Sequence, residues 1–176
     1  MHIKPPMTGG RQPHDLSSLA KAVGLHRITW RATASAVNNS DAVVDALSWL
    51  VGDEEAVEVE RSTSYHGPEL ALMQAVSSKK KTALISLSRL GEEALQVLKN
   101  ELEDRLDEQN VLHIRIGFAE LIDGRIVLLN TSETGTVKGQ AKIEVYPGQD
   151  PLEEARAVLD EAILNSRSSL ATEGSP

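Results

Sequence analysis

The chain has 176 residues, 40% of them hydrophobic and 25% charged, which is enough for one ordinary core and short for two. Eighteen Lys and Arg against twenty-six Asp and Glu leave a net charge of −8, which argues against a protein that coats polyanions in bulk. The absence of cysteine excludes disulfides, thiolate metal sites and thiol nucleophiles, and fits a reducing, cytoplasmic setting.

Residues 1–24 hold three of the seven prolines together with Gly9 and Gly10, and have too few periodic apolar positions to offset their ordering entropy. They are expected as a flexible N-terminal arm before a single domain over 25–165. Met1 to Pro6 lacks the apolar core of a secretory signal, and no apolar run approaches the ~20 residues of a membrane helix. The Ser/Gly/Glu-rich stretch 166–176 is expected to fray as a disordered tail.

From Ile28 the apolar period is two: Ile28, Trp30, Ala32, Ala34 and Ala36 alternate with Thr29, Arg31, Thr33 and Ser35, so a first strand has one wet face. Asn39 or Ser40 then caps a helix in which Val43, Val44, Leu47, Leu50 and Val51 share a side and Gly52 ends the run. Trp49 is read as core on that helix, as is Trp30 on its strand. Val57 and Val59 alternate with Glu58 and Glu60 in a second strand. After the Tyr65-His66-Gly67-Pro68 turn, Glu69 to Val76 makes a third, antiparallel to it.

Lys79 to Glu108 has helical spacing with Gly91 as its break, although Thr82 to Leu87 also fits a strand. Val111 to Phe118 and Arg125 to Leu129 flank Asp123-Gly124 as a hairpin. Val137 to Val145 alternates as a last strand. Asp150-Pro151-Leu152-Glu153 opens a final helix to about Asn165 as N-cap, first-turn proline and capping-box glutamate. Strand, helix, two strands, helix, three strands, helix predicts an α+β fold, a mainly antiparallel sheet with helices packed on one face.

Charge is distributed unevenly along this string. Residues 92–108 hold seven acids and two bases, and residues 150–161 hold five acids and Arg156, so two helical stretches account for the whole negative excess. The strands carry Arg27, Arg31, Arg115, Arg125, Lys138 and Lys142, and residues two or four apart share a face. Two readings fit: an open cationic sheet that contacts a phosphate backbone, with Lys79, Lys80 and Lys81 at its edge, or the solvated face common in antiparallel sheets. With aromatics at 3%, base stacking has few side chains to use.

Catalytic and metal chemistry finds little support. Tyr65-His66 joins a phenol and an imidazole at a turn, but no neighbouring acid orients the ring. The five histidines lack metal-ligand spacing, and no cofactor is expected. Asp104, Asp107 and Glu108 read as a solvated helix end, and His113 as an exposed strand residue. Phosphate-binding glycine loops and the GxSxG elbow are absent.

Ser64-Tyr65-His66-Gly67 after an acidic strand, the leucine-rich helix ending Leu106-Asp107-Glu108, and Leu112-His113-Ile114-Arg115-Ile116 with Gly124 and a closing Val137 to Tyr146 strand resemble the archaeal predicted RNA-binding, exosome-associated protein family over about residues 27–146. The resemblance implies an α+β fold similar to the large-subunit ribosomal protein that binds the small ribosomal RNA, and RNA binding without catalysis. Gly117-Phe118-Ala119 stands where the family has Asp-Lys-Gln, removing one expected phosphate contact, and His113 stands where Tyr is common. The expected RNA contacts are Arg27, Arg31, Tyr65, His66, Lys79, Lys80, Lys81, Arg115, Lys138 and Lys142. Exosome or ribosome-related proteins are the implied partners. The alternative is a protein-interaction or dimerising module that does not touch RNA.

Overall fold

A computed structural model describes residues 24–35, 40–63, 69–130 and 135–173. Strand β1 (Leu25–Ser35) leads to helix α1 (Ser40–Val51), a 3-10 turn (Glu54–Ala56), and strands β2 (Val57–Thr63) and β3 (Glu69–Ser77). Helices α2 (Lys80–Ser88), α3 (Glu92–Asn100) and α4 (Leu102–Arg105) follow, then β4 (Val111–Gly117), α5 (Phe118–Ile122), β5 (Thr136–Ile143) and α6 (Pro151–Glu173). The five strands form one sheet in the order β2-β3-β1-β5-β4, and every neighbouring pair is antiparallel. The fold is α+β.

The pleat divides each central strand into a buried and an exposed set. Ile28, Trp30 and Ala32 of β1, Ala71, Met73 and Ala75 of β3, Leu112, Ile114 and Ile116 of β4, and Val137, Ala141 and Ile143 of β5 all lie in the core. Against them pack Val43, Leu47 and Leu50 of α1, Leu87 of α2, Leu95 and Leu98 of α3, and Val158 and Leu159 of α6. Gly139 faces Trp30 in the β1–β5 register. A Cβ there would meet Trp30 Cζ3 at 2.4 Å, so only glycine lets the indole lie across β5. The indole N–H donates to Ser86 Oγ of α2 at 2.9 Å, which ties sheet to helices and satisfies the buried donor.

Several expectations change. Gly91, at φ 89, and then Glu101 divide the long helical stretch into α2, α3 and α4, and residues 82–87 are helix, not strand. Residues 125–129 form no regular strand, because Phe118–Ile122 first winds into α5 with Leu121 buried. Pairing survives as a fragment: the Gly117 N–H donates to Val127 O and the Leu129 N–H to Arg115 O, around an Ile116–Leu128 bridge. Helix α6 starts as expected, with Asp150 Oδ1 accepting from the Leu152 N–H at 3.1 Å, but runs to Glu173. Asn165 donating to Ser88 Oγ, the buried Ser166 and an Arg167–Glu92 ion pair at 2.5 Å hold part of the stretch expected to fray.

Trp49 is 48% exposed, a correction to its reading as core. Two residues past Leu47 on a 3.6-residue helix turns a side chain about 200° away from the core. Instead the Arg89 guanidinium lies over its ring, 5.8 Å from the centroid.

Candidate functional site

Among the described residues, no helix covers the polar faces of β4, β5 and β1, and the register sets their side chains in rows. Arg115 of β4 pairs with Lys138 of β5, which pairs with Arg31 of β1. The next row is His113, Gln140 and Thr29, and the one after it brings Lys142 beside Arg27. Neighbouring strands stand about 4.8 Å apart, and the outer rows, four residues distant, about 13 Å. Five of the ten expected contacts thus meet on one surface. A bulge between Leu25 and Arg27 keeps Arg27 in phase with Arg31 on this face while Leu25 stays in the core.

These five cations share an electrostatic property. Among the described residues, no carboxylate forms an ion pair with Arg27, Arg31, Arg115, Lys138 or Lys142, whereas Lys80, Lys99, Arg105, Arg125 and Arg167 each have one. Neutral acceptors orient two of the five: Arg31 Nε donates to Gln74 Oε1 at 2.8 Å, and Lys142 Nζ to Gln109 O. Uncompensated positive charge on an open face suits a flexible polyanion, and for Arg31 and Lys142 the ordering cost is already met in the free protein.

The remaining expected contacts fall elsewhere. Tyr65 and His66 lie outside the described residues. Lys79, Lys80 and Lys81 are exposed at the start of α2, beyond the end of β3, where β1 begins and β5 finishes. Lys80 binds Glu144 at 2.5 Å, which raises the ammonium pKa and lowers that of the Glu144 carboxyl, so this lysine is already compensated.

Asp107 is not simply solvated. Its Oδ1 accepts from the Gln109 and Val111 N–H groups at 2.8 and 3.0 Å, closing a turn in which Asn110 takes φ 62. Its Oδ2 lies 2.7 Å from His113 Nε2, and the His113 hydrogen bond, followed by that from Val111, holds the carboxyl below its ordinary range. The Asp-x-x-Asn spacing before a strand was the turn signal that could have found it. The sheet is also less uniform than a cationic platform. Beyond β1, β3 exposes Leu70 and Leu72, and Glu58 and Glu60 of β2 pair in register with Gln74 and Leu72. Among the described residues, no cluster of three His, Asp or Glu could hold a metal ion, and no helix is long and apolar enough to cross a membrane.

A family model described as RNA binding matches residues 27–143, from the third residue of β1 to the end of β5. Among solved structures, a DUF54 protein from Archaeglobus fulgidus is similar at 25% identity and TM-score 0.61, over 78% of this chain and 99% of that one. A DUF54 protein from Methanothermobacter thermautotrophicus matches at 21% identity and TM-score 0.57, over 82% of this chain and 96% of its own, and supports the fold. A third, from Sulfolobus solfataricus, shares the fold at 13% identity and TM-score 0.59, over 78% of this chain and 99% of its own. No curated protein matches the chain.

Proposed function

The chain belongs to the RNA-binding family, and from that premise we propose that it holds a single-stranded segment of RNA by its phosphates across β4, β5 and β1, without cleaving it. The observation that carries this reading is the pair of cross-strand rows, Arg115-Lys138-Arg31 and Lys142-Arg27, on one open face with no carboxylate ion-pair partners among the described residues. Phosphate contacts of this kind fix register and carry no sequence information. Scarce aromatics fit the same reading, since backbone contact needs no stacking platform. The net charge of −8 does not prevent it, because at physiological salt charges beyond roughly 8 Å are screened and the local field dominates.

Fluorescence anisotropy of a labelled ten-nucleotide uridine oligomer tests the proposal. Five phosphate contacts give a log–log salt slope approaching about −3.5, at ~0.7 per contact. Absence of binding at low salt, or binding indifferent to salt, defeats it. The RNA should be recovered intact after long incubation. The exosome setting that the resemblance implies belongs to the same reading, and its test is co-elution with purified exosome core subunits.

A further inference from the structure

Beside β4, a cavity of about 310 Å³ opens next to the cationic rows and is lined by Glu101, Asp104, Arg105, His113, Arg115 and Asn130, together with Leu129. We infer that this cavity takes one unstacked guanine base of the bound RNA. The inference rests on the RNA-binding reading above and adds a base-reading subsite to a surface that otherwise sees only phosphates.

Arg105 anchors the argument. Its side chain is only 10% exposed, held by Glu101 Oε2 at 2.7 Å from Nε, by Asn130 Oδ1 at 3.1 Å from Nη2, and more loosely by His113 O at 3.4 Å from Nη1. A guanidinium has five N–H donors, and these contacts use three. Two donors therefore remain on a nearly buried cation whose position is fixed by three elements: α4, β4 and the segment after α5. A nearly buried guanidinium with two unused donors at the wall of a cavity is suited to an acceptor pair from outside.

The carboxylates decide which ligand that is. A phosphate entering the cavity would face Glu101 and Asp104, and Glu101 already compensates Arg105. A neutral base meets no such repulsion, and it can use both signs of the lining. Guanine alone among the four bases has two adjacent acceptors on one edge, O6 and N7, and two adjacent N–H donors on another, N1–H and N2–H. Arginine recognises the first pair, and the two acceptor oxygens of a carboxylate match the second. Asp104 is exposed and forms no ion pair among the described residues, so its oxygens are open to those donors. Leu129 supplies apolar surface for the ring, and the cavity lies at the small end of ligand pockets, a size for one base. Arg115 belongs to both the cavity and the first cationic row, so a strand lying on the sheet need splay out only its last base.

The experiment compares the uridine ten-mer with the same oligomer carrying one guanine, one inosine or one adenine near its end, by anisotropy at one fixed low salt concentration. Guanine should bind about tenfold tighter than uridine, the effect of a bidentate base contact, with inosine, which lacks the N2 amino group, between them and adenine near uridine. Asp104→Asn should abolish the guanine preference, with the uridine ten-mer and the guanine oligomer then binding equally and the uridine ten-mer no more weakly than to the wild type. If the uridine ten-mer binds and the guanine oligomer binds no better, or if Asp104→Asn keeps the preference, the cavity is not a guanine site although the platform stands. If neither oligomer binds, platform and cavity fall together.

Discussion

On one half of the open sheet face, β4, β5 and β1 expose Arg115, Lys138, Arg31, Lys142 and Arg27; on the other, β3 and β2 expose Leu70, Leu72, Glu58 and Glu60. Both halves come from the same alternation, and both back onto the same core. They differ because strand order, not strand sequence, decides which exposed residues become neighbours. The first strand in the chain sits at the centre of the sheet, so Arg31 completes a cationic row on its β5 side and hydrogen-bonds Gln74 on its β3 side. On the proposed reading, a polyanion would meet attraction on three strands and repulsion at the far edge, and would be confined to half the face.

The comparison breaks most completely if the common core is disturbed. Gly139→Val drives a branched side chain into the Trp30 ring, already reached at 2.4 Å by a Cβ alone. Overpacking of this kind costs about 1–3 kcal/mol, or roughly 3–10 °C in Tm for a chain of this size, and both halves should weaken together. Differential scanning calorimetry checks it, and an unchanged Tm would mean that Trp30 has another place to go.

The next largest effect separates the halves. Removing Arg31, Lys138 and Arg115 together by alanine should lower RNA affinity and flatten the salt slope by about 2, three contacts at ~0.7 each. Glu58→Gln with Glu60→Gln should leave the slope unaltered and raise affinity slightly. Changes of equal size per charge and opposite sign from the two sets would show that the face acts only through its net charge.

The two halves were not equally legible in the sequence. Period-two alternation placed Arg27 with Arg31 and Lys138 with Lys142 on shared faces, because the pleat is a local property. That β5 would lie between β1 and β4, bringing Lys138 between Arg31 and Arg115, depends on strand pairing over more than a hundred residues, which no local pattern encodes. The same limit hid the Arg105 cavity, assembled from α4, β4 and Asn130. Trp49 shows a different limit: its apolar character suggests burial, whereas helical phase sets its direction. The tail over 166–173 is polar enough to fray, yet Arg167 pairs with Glu92 of α3, and Asn165 just before it donates to Ser88 of α2.

Acid sharpens the picture at the β4 end. Asp107 has its carboxyl pKa lowered below the ordinary 3.8 by His113 and the Val111 and Gln109 N–H groups. A depressed folded value stabilises above the unfolded one, and the contribution is lost as pH falls from about 4 through the folded value. Asp107→Asn should therefore lower Tm at neutral pH by a small amount, and the difference from wild type should shrink in acid below pH 4. A difference that persists undiminished there would assign the loss to the turn's shape and not to its charge.

The smallest effect concerns the lysine run at the end of the platform. Glu144 has a lowered pKa and Lys80 a raised one, each chiefly through their mutual hydrogen bond. Their contribution is present between the ordinary carboxyl and ammonium values; it is lost as pH falls through the folded Glu144 value or rises through that of Lys80. At neutral pH Lys80 thus has its charge matched, so Lys80→Met should change RNA affinity less than Lys79→Met or Lys81→Met. Glu144→Gln should do the reverse, adding one uncompensated cation where β5 leaves Lys142 and raising affinity modestly at low salt. If Lys80→Met costs more than its neighbours, the ammonium exchanges its carboxylate for a phosphate when RNA arrives, and the cationic half extends past the sheet to the start of α2.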